Sequence, residues 1–122
     1  MYERYMICTD AYRATSEGFQ VEIRAPYYRG IRLCLVESIE VRLDGEPVPA
    51  ADITFRLRGR DYSLHELAAE HVQRWEFGER ATLEVHRPAL APGEHRLSLT
   101  EELRISYMPV PLRSTAEAVL HL

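Results

Sequence analysis

The chain has 122 residues and a formal net charge of −4, with 46% hydrophobic and 28% charged residues, values that fit one globular domain over residues 1–122 and exclude a disordered or fibrous chain. No apolar run approaches the roughly 20 residues of a membrane helix, and the interspersed charges form no basic stripe for nucleic acid. All fifteen basic residues are arginine, which removes Schiff-base and lysine-base mechanisms.

The opening "MYERYMICTD" places Glu3 and Arg4 where a secretory leader needs an apolar core, so no export is expected and the protein is read as cytoplasmic. In that compartment Cys8 and Cys34 read as reduced thiols in apolar surroundings. From Phe19 the chain alternates, Phe19, Val21, Ile23 and Ala25 against Gln20, Glu22 and Arg24, the pattern of a half-buried strand. "APYYRG" then interrupts it with Pro26, Tyr27, Tyr28, Arg29 and Gly30. A second strand runs through "LCLVESIEVRL" and breaks its period around Glu37 and Ser38, which predicts a bulge or register change there. It ends at the turn signal "DGEP", Asp44 to Pro47.

"DITFRLRGRDYSL" reads as a hairpin with Gly59 at the corner. Ser63 and Glu66 have the spacing of a capping box, and Leu64, Leu67, Ala68 and Val72 recur at helical spacing. "SLHELAAEHV" is therefore predicted to be the only substantial helix, about two and a half turns. "ATLEVHR" and "HRLSLTEELRISY" read as two further strands joined through "PALAPGE", whose prolines and glycine cannot continue a ladder. The segment 112–122 fits a tail strand or a short helix equally. The fold class is all-β, an antiparallel β-sandwich or flattened barrel with one short helix.

Residues that carry chemistry are not grouped. His65 and His71 stand six apart, on different faces of a helix, where a metal pair wants three or four. His86 and His95 flank a turn and could face each other across a hairpin, with nothing else of ligand type patterned around them. Nucleophile elbows, phosphate loops and dinucleotide fingerprints are missing. Glu101 and Glu102 are adjacent in a strand, point to opposite faces and cannot work as an acid–base pair; they read as solvated or register-setting charges. No catalytic residue and no metal set are assigned.

What stands out is aromatic and arginine content at predicted loops: Tyr27, Tyr28 and Arg29; Trp75 and Phe77; Tyr107 and Met108. These types are enriched in the buried centres of protein interfaces. For Trp75 and Phe77 a place plugging the sandwich edge is equally open. Two consecutive tyrosines in an extended segment face opposite ways, so at least one of Tyr27 and Tyr28 points outward.

Taken in order, "GFQVEIRAPYYRGIRLCLVESIEVRLDGEPV", "ITFRLRGRDYSLHEL", "RWEFGERATLEV", "LAPGEHRLSL" and "LRISYMP" resemble the small (β) subunit of bacterial C-glycoside deglycosidases over about residues 18–109. The resemblance implies a heteromeric carbon–carbon lyase. Its α subunit would be a TIM barrel similar to sugar-phosphate isomerases, holding a divalent metal, manganese, and supplying the base. The substrate would be a C-glycoside, flavonoid C-glycosides included, already oxidised to its 3-keto form. The ketone acidifies the C2 proton, a base removes it, the metal stabilises the enolate and the aglycone leaves from C1. This chain would be a non-catalytic or site-completing subunit without a cofactor of its own. Tyr27, Tyr28, Arg29, Trp75 and Tyr107 would then face the partner or cap its site, with Pro26 fixing the loop's approach and Gly30 its exit. Tyr28 stands where tryptophan would be expected in the family. The competing readings are a stand-alone carbohydrate-binding sandwich, with Tyr27, Tyr28 and Trp75 as its platform, and a structural adaptor.

Overall fold

Period-2 runs bounded by turn residues become antiparallel strands because each run offers one apolar face for burial. A computed structural model describes residues 2–122. Its strands are β1 (Ile7–Thr15), β2 (Gly18–Ile23), β3 (Ile31–Arg32), β4 (Val36–Leu43), β5 (Glu46–Pro47), β6 (Ile53–Leu57), β7 (Arg60–Ser63), β8 (Arg74–Trp75), β9 (Ala81–His86), β10 (Glu94–Leu103) and β11 (Leu112–His121). One sheet has the order β1-β2-β9-β6-β7, a second the order β11-β10-β4-β5, and β3 and β8 form a separate ribbon. The pairings are antiparallel throughout, as expected of the all-β sandwich class.

The buried residues of the first sheet alternate along each strand: Phe19, Val21 and Ile23 on β2, Leu83 and Val85 on β9, Ile53, Phe55 and Leu57 on β6. Those of the second sheet are Ile39, Val41 and Leu43 on β4 and Leu97, Leu99 and Leu103 on β10. They form one cluster with Trp75, Leu33 and Leu67, which is the main source of stability, at about 1.5–3 kcal/mol for each large apolar side chain buried. Two hairpins use two-residue loops with both central residues at positive φ: Asp44 at 53° and Gly45 at 85°, Arg58 at 49° and Gly59 at 82°. That is the mirror-image turn whose twist suits a hairpin. The predicted irregularity near Glu37 is real: Glu102 pairs with Ser38 and Leu103 with Val36, so Glu37 is the extra residue of a bulge.

Four features depart from the sequence reading or decide it. The helix predicted over "SLHELAAEHV" shrinks to a 3-10 turn, His65–Ala69. The capping box does form, with Glu66 N–H donating to the Ser63 hydroxyl and Ser63 N–H to the Glu66 carboxylate. Glu70 then ends the turn, because its carboxylate accepts the N–H groups of Val72 and Gln73 and the Tyr62 hydroxyl. Of the helical stripe, Leu67 is buried and Leu64 packs against the core, but Val72 is 78% exposed, so the buried face ends with the turn. β1, which lacks an alternating burial pattern, goes unrecognised in the sequence; it is an edge strand with a bulge between Ile7 and Tyr12. The tail is a strand, paired along its length with β10. β9 and β10 belong to different sheets, so the histidines at their ends do not face each other across a hairpin. Among the described residues no helix is long and apolar enough to cross a membrane.

Glu101 is not the solvated charge the sequence suggests. It is fully buried, on the same face of β10 as Leu99 and Leu103, and neither carboxylate oxygen has a hydrogen-bond partner. Glu102 faces outward and pairs with Arg113 at 3.0 Å.

His95 locks the first hairpin to β10. Its Nδ1 meets Asp44 Oδ2 at 2.6 Å and its Nε2 meets the Ala91 carbonyl at 2.7 Å. Two acceptors need a proton on each nitrogen, so the site favours the imidazolium. Asp44 first, and the Ala91 carbonyl second, raise the His95 pKa, while His95 and the Arg96 N–H hold Asp44 below the usual carboxylate range. The His95 contribution to stability is complete below the unfolded pKa of about 6.5 and is lost as pH rises through the raised folded value. The Asp44 contribution is complete above about pH 3.9 and is lost as pH falls through its lowered value. In an NMR titration His95 should therefore titrate above ordinary histidines, and Asp44→Asn should return it toward them. An unchanged titration in the variant would show that Asp44 does not hold the proton.

Candidate functional site

The loop after β2 is fixed at both ends. Arg24 N–H donates to the Met6 carbonyl at 2.8 Å, and beyond the loop Ile31 pairs with Trp75 and Arg32 with Arg74. Arg74 also donates to the Gly30 carbonyl at 2.9 Å. A side chain at Gly30 would meet the Glu76 carboxylate, so the small residue lets the ribbon close under the loop. Pro26 is buried between these anchors, and Tyr27, Tyr28 and Arg29 are carried on the bend.

Within the bend, Tyr27 packs partly against the core while Tyr28 is 45% exposed. The segment bends instead of extending, so the two rings do not face opposite ways; their centroids lie 4.9 Å apart. The Arg29 guanidinium sits 5.2 Å from the Tyr28 ring centroid, within the range of a cation–π contact.

Tyr107 arrives from the β10–β11 loop. Arg104 N–H donates to the Leu35 carbonyl at 2.8 Å and Met108 N–H to the Ile105 carbonyl at 3.0 Å, a turn with Ser106 and Tyr107 at its tip. The Tyr27 hydroxyl donates to that of Tyr107 at 3.1 Å, joining residues 80 apart in sequence. Tyr107 remains 66% exposed. Four of the five residues singled out from the sequence thus meet at one end of the sandwich.

Trp75 does not join them, and its assignment as a partner-facing residue is corrected. It is fully buried, its indole N–H donates to the Glu79 carbonyl at 2.8 Å, and its ring lies edge-on to Phe55 at 5.2 Å. A strand sends successive side chains to opposite sides, so Trp75 goes into the core while Arg74 reaches the loop. The carbohydrate platform of Tyr27, Tyr28 and Trp75 fails for the same reason. Phe77, 59% exposed, lies at a neighbouring apolar depression of about 380 Å³ with Tyr2, Tyr5, Arg24 and Ala25.

Between the loops lies a groove of about 320 Å³, lined by Tyr27, Tyr107, Ile31, Leu35 and Ile105 and by four arginines, Arg29, Arg32, Arg74 and Arg104. The last three were not singled out in the sequence reading. Among the described residues no carboxylate, histidine or cysteine lines it, so these residues can hold and orient a group but supply no general base near neutral pH. Nor is there, among the described residues, any group of three or more His, Cys, Asp or Glu side chains that could hold a metal ion. The metal that the resemblance implies is one the α subunit would hold.

The chain also matches known proteins. The family model described as "C-glycoside deglycosidase beta subunit" covers residues 2–107. The chain belongs to that family. The match begins upstream of Gly18 and so takes in β1, which the sequence motifs alone left out. Among curated relatives, a C-glycoside deglycosidase beta subunit from Eubacterium cellulosolvens is 32% identical over 93 residues, 75% of this chain and 63% of that protein, so the chain spans somewhat less than two thirds of its length. A 3'-dehydrocarminate deglycosidase beta subunit from a Microbacterium species is 27% identical over 110 residues, 90% of this chain and 83% of the relative. A C-glycoside deglycosidase beta subunit from Arthrobacter globiformis is 26% identical over 110 residues, 88% and 83%.

Proposed function

We propose that this C-glycoside deglycosidase β-subunit family member completes a heteromeric carbon–carbon lyase in the cytoplasm, docking on a TIM-barrel α subunit that brings the divalent metal, manganese, and the base. The complex would act on a 3-keto C-glycoside, eliminating the aglycone from C1 after loss of the proton at C2. The single observation that supports this best is the cluster of Tyr27, Tyr28, Arg29 and Tyr107, mutually braced, exposed at all but the half-buried Tyr27, and set beside a groove with no acid or base among the described residues. Surfaces of that composition suit interface centres, and a site lacking its own base needs one from elsewhere.

Co-expression with a TIM-barrel, isomerase-like subunit tests the reading. The two chains should co-purify, and turnover of 3-keto C-glycoside should require both. A monodisperse monomer, indifferent to that partner in sizing and pull-down, would overturn the proposal.

A further inference from the structure

We infer that the groove between the 26–30 and 104–108 loops is a binding site for a planar aromatic anion, a one- or two-ring system carrying a carboxylate or phenolate. The inference rests on the reading above only in naming that ring as the aglycone of the C-glycoside.

Charge is the first support. Four guanidinium groups line the groove. Arg74 is paired with Glu76 at 3.4 Å and Arg104 with Glu37. Among the described residues Arg29 and Arg32 have no carboxylate partner, so two positive charges stay uncompensated in a chain whose net charge is −4. Arginine presents a planar fork that matches a carboxylate in bidentate fashion and also lies flat on rings.

Shape and lining select an aromatic anion over a small inorganic one. Ile31, Leu35 and Ile105 are apolar, and the Tyr27 and Tyr107 rings with their joined hydroxyls stand beside them. A volume of about 320 Å³ lies at the lower end of small-molecule sites, enough for one or two fused rings. Phosphate would use the arginines and leave the apolar surface wet. An uncharged ring would use that surface and leave the free guanidiniums unanswered.

The probe is 2-naphthoate, titrated by calorimetry into the purified full chain, with 2-naphthamide and inorganic phosphate as comparisons. Saturable binding is expected, at least tenfold tighter than for either comparison and weakened by added salt. The double variant Arg29→Gln with Arg32→Gln should lose at least tenfold in affinity while melting with the parent, since both side chains are exposed. Equal binding of the amide, equal binding of phosphate, or no saturable binding would overturn the inference. Those comparisons use the parent chain and decide the matter even if the double variant fails to fold. A chain that ignores naphthoate but assembles with the α subunit removes the groove assignment and leaves the subunit reading. One that binds naphthoate without assembling does the reverse.

Discussion

Changing Tyr28 and Arg29 together to alanine is expected to weaken association with the partner subunit at least tenfold while leaving the melting temperature of the free chain nearly unchanged. The two side chains form one unit, a guanidinium 5.2 Å from the centroid of a ring that is itself 45% exposed. An arginine or tyrosine at the centre of an interface typically costs about 2 kcal/mol or more when truncated, and 1.4 kcal/mol is already a factor of ten. Removing either from an open surface costs the fold only about 0.5 kcal/mol. Trp75→Phe is the matching control, with the opposite signature: loss of the indole donor that holds the Glu79 carbonyl should lower the melting temperature and leave affinity close to the parent's. Calorimetric or sizing titration of the complex, beside thermal melts of each variant, separates the two effects. A Tyr28/Arg29 variant that assembles and turns over like the parent would remove the loop from the functional account, and an unfolded one would place it in the core.

How far such a surface is legible in a sequence depends on whether its cause is local. The strands β2, β6 and β9 could be read because each buries one face and so alternates strictly. The two hairpin turns were legible because positive φ favours Asp-Gly and a glycine at the corner. β1 was not, since an edge strand with a bulge is held by its neighbour's ladder and not by its own pattern. The helix over residues 63–72 was misread because the capping box reports only how a turn begins; Glu70 decides where it stops, using N–H groups that a longer helix would have consumed.

The site divides along the same line. Tyr27, Tyr28 and Arg29 were visible as costly residues in one loop, whereas their junction with Tyr107 depends on a contact across 80 positions. Arg32, Arg74 and Arg104 each adjoin a buried apolar residue, Leu33, Trp75 and Ile105, which forces them outward. That much the sequence shows; that they converge on one groove is a property of the β3–β8 ribbon and the Leu35–Arg104 hydrogen bond. Trp75 was misplaced because its composition suits an interface and a core equally well, and only the ribbon's register turns it inward.

Glu101 carries the other large expectation: replacing it by methionine should stabilise the chain by about 2 kcal/mol, and replacing it by glutamine should flatten the dependence of stability on pH. Its cross-strand neighbours are Ile39 and Ser114, and Leu99 and Leu103 flank it on β10. Both carboxylate oxygens are sealed from solvent without a partner. Desolvation alone pushes its pKa well above the ordinary carboxylate value, so the acid is neutral inside the fold, and an unpaired polar group of this kind costs about 1–3 kcal/mol. Methionine is also unbranched and puts apolar atoms in the same slot, which recovers most of that cost. At roughly 4 °C per kcal/mol for a chain of this size, the melting temperature should rise by about 8 °C. The sign of the pH effect follows from proton counting. Above about pH 4.5 the unfolded chain releases this proton and the folded chain keeps it, so the contribution is complete below that pH and is lost as pH rises through the folded value. Glutamine keeps the polar group buried but has no proton to release, so its melting temperature should fall less than the parent's between pH 5 and pH 9. Parallel profiles for the parent and Glu101→Gln would mean that water or a counter-charge reaches this carboxylate in solution, and with that the case for a neutral, unpartnered acid in the sandwich core would be lost.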